Sequence, residues 1–167
     1  RRGQIGYDAA MQKRRFVLAL AIAALALGAG YAQDTFKEEA EQLSGLLNWK
    51  PGSAVADIGA GDGELTLAAA ERVGATGRVY STEIDEKKLA HLEELAAKTK
   101  NLTALKGAAN ETSLPPACCD SIVVRRVYHH FPKPDRIGAS LLQSLKPGGL
   151  LAIIDFAPRE GLPAIQE

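Results

Sequence analysis

Short apolar runs alternate with amphipathic segments of helical spacing along most of this chain. The apolar run that ends at Ile58 has small and branched residues, as in a parallel strand that is buried on both faces. The segments between the runs carry apolar residues three and four positions apart, which is typical of helices with one buried face. The predicted strands are residues 53–58, 78–83, 102–106, 121–127 and 150–156. The predicted helices are residues 36–48, residues 64–73, a helix capped by Asp85, and residues 134–145. In the last helix Ile137, Leu141, Leu142 and Leu145 are expected to face inward.

This alternation predicts an α/β fold with a doubly wound, mostly parallel sheet. Ligands of such sheets bind beyond the carboxyl ends of the strands, where the strand order reverses. We therefore expect the functional site at that edge. The features that fall there are Asp57, the glycine loop 59–63, Glu83, Asn110 and the loop 128–130.

The clearest local motif is a glycine loop between the first strand and its helix. Gly59, Gly61 and Gly63 alternate with other residues directly after the run that contains Asp57. Glycine admits positive φ and lets a ligand approach the backbone, and the start of the helix offers N–H groups and a positive dipole end to an anionic group. Glu83 ends the second strand about 20 residues later, where an acid accepts hydrogen bonds from ribose hydroxyls.

The spacing of the glycines distinguishes two cofactors. The dinucleotide fingerprint is G-x-G-x-x-G, whereas this loop reads G-x-G-x-G and places Glu64 where the third dinucleotide glycine belongs. The loop resembles motif I of the class I S-adenosylmethionine (SAM)-dependent methyltransferases. The similarity extends over residues 43–156, with further matching segments at 79–83, 120–131 and 145–156.

The resemblance implies that SAM is the cofactor, and it assigns the cofactor contacts. Gly59, Gly61 and Gly63 would carry the loop against the methionine and adenosine parts of SAM. Asp57 would order the loop and contact the amino-acid end, directly or through water. Glu83 would hold the ribose diol.

Two further segments are assigned through the same resemblance. Many relatives place an aspartate after the third strand to accept from the adenine amino group, but the best-matched position here is alanine, and Asn110 or Glu111 would replace the aspartate. His129 and His130 follow the fourth strand, where relatives place groups that face the substrate. A histidine there would serve as a catalytic general base near neutral pH. The alternative is that the pair packs beside the cofactor.

The predicted fourth strand also carries two adjacent arginines, Arg125 and Arg126. A cation on a largely buried strand needs a partner. One of the two is therefore expected to face a carboxylate or the pocket, and the sequence does not decide which.

The sequence thus predicts a methyltransferase that transfers a methyl group from SAM to a small molecule or a protein. The alternative is a non-catalytic module of the same fold that binds SAM or another nucleotide. A nicotinamide-dependent oxidoreductase ranks third, because the glycine spacing fits it poorly. The family sheet usually has two more strands after the fifth, so we expect a chain truncated at the C-terminus, with residues 33–157 as the methyltransferase domain and 158–167 as the start of a linker.

The N-terminal segment has the three-part pattern of a secretory signal peptide. A basic cluster, Lys13–Arg15, precedes an apolar run at 16–27 that is short for a membrane span, and small residues precede Gln33. We expect residues 11–32 to be a bacterial signal peptide and residues 1–10 to be an upstream artefact. The mature protein would then be exported, to the periplasm or outside the cell, without stable membrane insertion. An uncleaved segment would anchor it to the membrane.

Charge and cysteine content argue against other classes. The 20 basic and 20 acidic residues balance, so nothing indicates a nucleic-acid partner. The two cysteines, Cys118 and Cys119, are adjacent, and disulfide geometry normally needs α carbons that are further apart. We therefore expect two free thiols and no disulfide framework. Their spacing also fits no metal site, and no metal is predicted.

Overall fold

A computed structural model describes residues 36–156 of the chain. The expected signal peptide, the upstream segment and the linker lie outside these residues, so those expectations stay predictions. A compact unit of the chain begins at Gln42. None of the helices between residues 36 and 156 is long and apolar enough to span a bilayer.

Strands and helices alternate as the sequence pattern predicts. The first helix, α1, covers residues 36–46 of the described chain. The elements that follow are β1 (Ala54–Ile58), α2 (Glu64–Val73), β2 (Arg78–Glu83), α3 (Glu86–Lys98), β3 (Leu102–Lys106), β4 (Cys119–Arg125), a 3₁₀ turn (Tyr128–His130), α4 (Pro134–Ser144) and β5 (Leu145–Ile154). Asp85 caps α3 as predicted, because its carboxylate accepts from the backbone N–H groups of Lys87 and Lys88 at 3.0 Å each.

The strands form one parallel sheet in the order β3-β2-β1-β4-β5. Strands β2 and β3 follow β1 on one side of it, and β4 and β5 lie on the other side of β1. Right-handed crossovers in the two directions place helices on opposite faces of the sheet, so the predicted doubly wound α/β fold is confirmed. The strand order reverses between β1 and β4, which are paired along Asp57 and Val123.

Helix α4 covers one face of the sheet around β1 and β4. Its residues Ile137 and Leu141 are fully buried, and they pack on alternate strand residues that point to the same face. Burying one such side chain contributes about 1.5–3 kcal/mol. The cluster comprises Ala56, Ile58, Cys119, Ile122, Val124, Ile137 and Leu141. It holds together the two strands whose carboxyl ends carry the candidate site.

Two sequence-based expectations around β4 and α4 are wrong. Strand β4 ends at Arg125 and not at residue 127, because Arg126 has φ 56°, a left-handed conformation that interrupts an extended ladder. Leu142, expected to face inward together with Leu141, is 69% exposed. One residue corresponds to about 100° of rotation around a helix, so Leu142 points away from the sheet that Leu141 contacts.

Strand β5 begins earlier than its glycine turn suggests. Pairing with β4 starts at Leu145 opposite Cys119 and resumes with Leu150 opposite Ser121, so the intervening residues form an irregularity within the strand. Gly148 adopts φ 79° there, which glycine does without strain. Within the described residues β5 is an edge of the sheet, and Leu150 is 43% exposed.

The two cysteines are joined in a disulfide, Cys118 to Cys119, so the expectation of free thiols is wrong. A turn at residues 116–117, in which Ala117 has φ 48°, precedes the pair. Cys119 is fully buried at the start of β4. The disulfide therefore lies at the amino edge of the sheet, away from the edge where we expect the site.

Candidate functional site

The carboxyl ends of three adjacent strands bring charged side chains together. Asp57 lies near the end of β1, Glu83 ends β2 and Arg125 ends β4. A cavity of ≈ 200 Å³ opens at the ends of β1 and β4. It is lined by Asp57, residues 59–62, Glu64, Leu65 and Arg125. The arginine that joins this charged cavity is thus Arg125, and its neighbour Arg126 is exposed and outside the lining.

Asp57 is a buried carboxylate. The residue is 3% exposed, and it accepts a hydrogen bond from the hydroxyl of Thr66 at 2.7 Å. Desolvation raises the pKa of Asp57 from 3.8 to about 6, against the Thr66 hydrogen bond and the charge of Arg125, and the nearby Glu83 charge adds to the rise. Because Thr66 lies in the first turn of α2, this hydrogen bond ties β1 to that helix.

Glu83 organises the glycine loop. Its Oε2 accepts from the backbone N–H of Gly61 at 2.9 Å, and its Oε1 accepts from the N–H groups of Ile84 and Asp85 at 2.7 and 3.0 Å. The residue is 8% exposed, and a hydrogen bond to a charged group contributes about 1.5–3 kcal/mol. Glu83 therefore has the loop-ordering role expected for Asp57, and its ribose contact stays a prediction.

Other amides of the glycine loop also have acceptors within the protein. The N–H groups of Gly59 and Ala60 both donate to the carbonyl of Thr82, at 2.9 and 3.0 Å. The N–H of Gly63 donates to the carbonyl of Ala60 at 3.0 Å. With the N–H of Gly61, which donates to Glu83, four amides of the loop donate hydrogen bonds within the protein. The turn does not offer these four N–H groups to an anionic ligand.

The three loop glycines serve different purposes. A Cβ at Gly59 would lie 2.8 Å from the side chain of Val127, and one at Gly63 would lie 2.8 Å from Leu95 of α3, so these two glycines permit close packing. Gly61 has φ 57°, and a Cβ there would meet no atom within 4 Å. Of the three, Gly61 is the one whose bare backbone borders open space in the charged cavity.

A second cavity of ≈ 100 Å³ shares Gly59 with the charged cavity. Its walls are mostly apolar, and Thr82 and Glu83 at the end of β2 also line it. The lining includes Ile58, Ile84, Ala108, Val127 and Phe131. We call it the apolar cavity, and a flat aromatic ring is the kind of group that it suits.

Asn110 does not line either of these cavities. It borders a third one, of ≈ 320 Å³, with Arg136 and Ser140 of α4. Its Oδ1 is buried and has no hydrogen-bond partner among the described residues. Glu111 lines both this third cavity and the apolar one. Of the two candidates for the adenine amino group, Glu111 is thus the one that the structure brings to the apolar cavity.

The two predicted catalytic histidines have different surroundings. Asp155, just after β5, holds His129: Oδ2 accepts from its backbone N–H at 2.9 Å, and Oδ1 lies 2.8 Å from its ring Nδ1. A carboxylate at Nδ1 favours the tautomer with Nδ1–H, which makes Nε2 the acceptor. His130 lines the apolar cavity, and the two imidazole rings are in contact, with centroids 3.9 Å apart.

Asp155 is a site residue that sequence reasoning missed. It contacts a loop 26 positions earlier in the chain, and no sequence motif connects the two segments. Its one signal is its position at the carboxyl end of a parallel strand, the edge that also holds Asp57 and Glu83. Within residues 36–156, no three His, Cys, Asp or Glu side chains are grouped so that they could hold a metal ion.

Comparison with known proteins agrees with this geometry. Residues 56–153 match the family described as "Methyltransferase domain". The ubiquinone/menaquinone biosynthesis C-methyltransferase UbiE of Hydrogenovibrio crunogenus is 29% identical over 125 residues, and that of Burkholderia mallei is 32% identical over 111 residues. These alignments cover 73% and 66% of this chain but 48% and 46% of the relatives, so the chain spans about half the length of the curated relatives that it matches.

Solved structures share the fold. A SAM-dependent methyltransferase from Aquifex aeolicus matches with a TM-score of 0.66 at 29% identity, over 74% of this chain and 68% of the other. The YcgJ protein from Bacillus subtilis matches with a TM-score of 0.64 at 20% identity, over 74% of this chain and 53% of the other, which supports the fold alone. The family match covers more than half of the chain. The chain therefore belongs to the methyltransferase domain family, and its cofactor is S-adenosyl-L-methionine.

Proposed function

We propose that this chain carries the catalytic domain of an enzyme that transfers the methyl group of SAM to a carbon atom of a small-molecule acceptor. The observation that carries the proposal is the meeting of the charged cavity and the apolar cavity at Gly59, beside the fixed carboxylate of Glu83. SAM has matching parts, namely a charged amino-acid end, a ribose and a flat adenine ring.

The residues at this edge suit each part of the cofactor. Asp57 would accept from the α-ammonium group. Glu83 accepts three amide hydrogen bonds, and because a carboxylate has about four lone-pair positions, it can still accept from a ribose hydroxyl. Ile84 and Phe131 would cover the adenine faces, and Glu111 would accept from the adenine amino group.

The bound cofactor supplies a methyl group on a sulfonium, which the acceptor displaces in line. The protein's part is mainly to bind the two reactants and align them. Transfer to carbon also requires that a proton leave the acceptor. His129 is our candidate for the base, because Asp155 fixes its Nδ1 side and leaves Nε2 to take the proton. His130 would pack beside the cofactor from the apolar cavity.

The names of the curated relatives are the reason for proposing a carbon atom as the methyl acceptor. The sequence alone leaves small molecules and proteins open. The two curated relatives are named C-methyltransferases of ubiquinone and menaquinone biosynthesis, which favours a carbon acceptor on an electron-rich ring. Because this chain spans about half of their length, the acceptor is part of the proposal.

The experiment uses methyl-labelled SAM with 1,4-dihydroxynaphthalene, an electron-rich ring with open carbon positions, as the probe acceptor. We expect a labelled product whose methyl group is bonded to a ring carbon in place of a ring proton, and release of S-adenosylhomocysteine in equal amount. His129→Asn should lower the rate at saturating SAM by about 10²–10⁴-fold, the usual contribution of a general base. The matched control is His91→Asn, because His91 is an exposed histidine within α3 and does not belong to the loop 128–130.

The outcomes separate the two functions that the sequence left open. SAM binding without transfer to this probe would contradict the carbon-acceptor proposal and favour the non-catalytic module. Transfer that is equally fast in His129→Asn would remove His129 from catalysis and keep the enzyme.

A further inference from the structure

Three rings form a row that begins at the apolar cavity and ends at an exposed phenylalanine. His130 lines the apolar cavity. The ring of His129 lies 3.9 Å from that of His130 and 5.7 Å from that of Phe156, measured between centroids. The contact with Phe156 is edge-to-face, with 62° between the ring planes. We call these three residues the aromatic row, and the proposed base His129 is its middle member.

One carboxylate holds the two outer members of the aromatic row. Oδ1 of Asp155 accepts from the backbone N–H of Phe156 at 2.8 Å and lies 2.8 Å from the ring Nδ1 of His129. Oδ2 accepts from the backbone N–H of His129 at 2.9 Å. Pairing of β5 with β4 extends to Ile154, so Asp155 and Phe156 directly follow the paired strand. The position of Phe156 relative to His129 is therefore fixed by the end of β5.

The side chain of Phe156 is accessible to a ligand. It is 68% exposed, and among the large apolar side chains that are exposed in residues 36–156 it is the one aromatic ring. The side chain of His129 is 42% exposed. Aromatic rings that meet edge-to-face or offset-stacked attract each other by more than their buried area accounts for. The aromatic row thus combines an open aromatic ring with the imidazole that is proposed to take the proton.

We propose that Phe156 selects an aromatic acceptor, by packing its ring against the ring that receives the methyl group. In the transfer, the ring carbon of the acceptor bonds to the methyl carbon as the bond from methyl to sulfur breaks and leaves its electron pair on sulfur. The proton of that ring carbon passes to Nε2 of His129. The inference rests on the proposed function and deepens it, because that function names a carbon acceptor and no residue that recognises it.

The test measures acceptor binding without turnover. The chain is saturated with S-adenosylhomocysteine, which has no methyl group to transfer, and is titrated with 1,4-dihydroxynaphthalene under argon while NMR follows the ring protons. We expect the ring signals of Phe156 and His129 to shift. Phe156→Leu keeps an apolar side chain without a ring, so it should weaken acceptor binding about 2–10-fold, the range for one aromatic pair. Its affinity for S-adenosylhomocysteine should not change.

Two further variants keep the test specific. Phe156→Tyr restores a ring and should bind 1,4-dihydroxynaphthalene like the wild type. Leu142→Ala is the matched control, because Leu142 is exposed to the same extent, 69%, and lies near the end of α4. Its affinity for the acceptor should equal that of the wild type. Thermal unfolding of each variant shows whether it is folded.

Turnover separates contact with the acceptor from support of the base. With labelled SAM, Phe156→Leu should raise KM for 1,4-dihydroxynaphthalene by the factor seen in binding and leave kcat nearly unchanged. A lower kcat at an unchanged KM would overturn the inference, because Phe156 would then act only through the position of His129.

The remaining outcomes distinguish the inference from the proposed function. Equal acceptor affinity in a folded Phe156→Leu protein would overturn the inference, and so would binding that leaves the ring signals of Phe156 and His129 unshifted. Methyl transfer to the carbon of a non-aromatic acceptor such as acetylacetone, without binding of the aromatic diol, would overturn the inference and keep the proposed function. Binding of the diol at Phe156 without methyl transfer would support recognition by Phe156 and contradict the proposed function.

Discussion

An aspartate lies at each end of the parallel strands: Asp120 of β4 at the amino ends, which we call the amino edge, and Asp57 of β1 at the carboxyl ends, the carboxyl edge. The two carboxylates have different partners and different exposure. At the amino edge, Asp120 accepts from the backbone N–H of Ala54 at 2.8 Å and from the ammonium of Lys146 at 2.9 Å. At the carboxyl edge, Asp57 is 3% exposed and accepts from the hydroxyl of Thr66. Asp120 thus forms an ion pair with a neighbouring lysine, whereas Asp57 borders the charged cavity.

The pKa values of these two carboxyl groups move in opposite directions. Desolvation acts to raise the pKa of Asp120, but the N–H of Ala54 and the ammonium of Lys146 outweigh it, and the pKa lies below its ordinary value. For Asp57 desolvation prevails, and the pKa rises to about 6. A perturbed carboxyl in a cavity is typical of functional sites. The comparison teaches that the amino edge is organised for folding and the carboxyl edge for binding.

The largest effect is expected from a side chain at Gly61. Valine at φ 57° is strained, and its methyl groups would enter the open space of the charged cavity. Gly61→Val should lower SAM affinity about 100-fold, the upper end of the usual cost of overpacking, as measured by calorimetry. Gly138→Ala in α4, where a Cβ also meets no atom within 4 Å, should bind SAM like the wild type. Equal affinities in a folded Gly61→Val protein would exclude the loop from the site.

Removing the buried charge of Asp57 should stabilise the fold. Because its pKa rises from 3.8 to about 6 on folding, the folded state binds this proton more tightly than the unfolded state. The charged form therefore destabilises the fold above pH 6, and the penalty disappears as the pH falls below about 4. Asp57→Asn should raise the free energy of unfolding at pH 8 by up to about 3 kcal/mol, and the gain should vanish at pH 4.

Denaturant unfolding at the two pH values measures this difference, and calorimetry measures the accompanying loss of function. Asp57→Asn should bind SAM about 10–100-fold more weakly, because the α-ammonium loses a charged acceptor. A variant that is less stable than the wild type at pH 8 would contradict the view that the carboxyl edge carries an unfavourable charge.

Glu83→Ala should weaken SAM binding by about 1–3 kcal/mol, through the lost ribose contact and the released loop. Because Gly61 loses the acceptor of its N–H, hydrogen exchange at that amide should become faster. Exchange followed by NMR separates this loosening of the loop from the loss of affinity. An affinity identical to that of the wild type would remove Glu83 from the site.

The smallest effect is expected at the amino edge. Asp120→Asn keeps an oxygen to accept from Ala54 and loses the ion pair with Lys146, whose side chains are 44% and 40% exposed. The free energy of unfolding at pH 8 should fall by at most about 1 kcal/mol, with unchanged SAM affinity. A gain of stability like that expected for Asp57→Asn would show that the two edges do not differ.

Local patterns explain the parts of the fold that could be predicted. The observed bounds of α2, β2 and β3 are those predicted, because apolar runs with glycine or acidic boundaries define them in the sequence. The end of β4 could not be predicted, because the left-handed backbone of Arg126 depends on its surroundings. The pairing of Cys118 with Cys119 could not be predicted either, because adjacent cysteines rarely form a disulfide.

The features of the candidate site likewise fall into those that local sequence patterns predict and those that depend on contacts between distant segments. Asp57, Glu83 and the glycine loop meet as expected, because they follow neighbouring parallel strands. The acceptors of the loop amides and the contact of His129 with Asp155 depend on how distant segments approach each other. For the same reason, the sequence did not separate Arg125 from Arg126 or place Asn110 outside the apolar cavity.

The most direct test of the binding role of the carboxyl edge is calorimetry of the chain with SAM, S-adenosylhomocysteine and NAD. The charged and apolar cavities predict micromolar binding of the first two ligands and none of NAD. A folded chain that binds neither SAM nor S-adenosylhomocysteine, or that prefers NAD, would contradict this account.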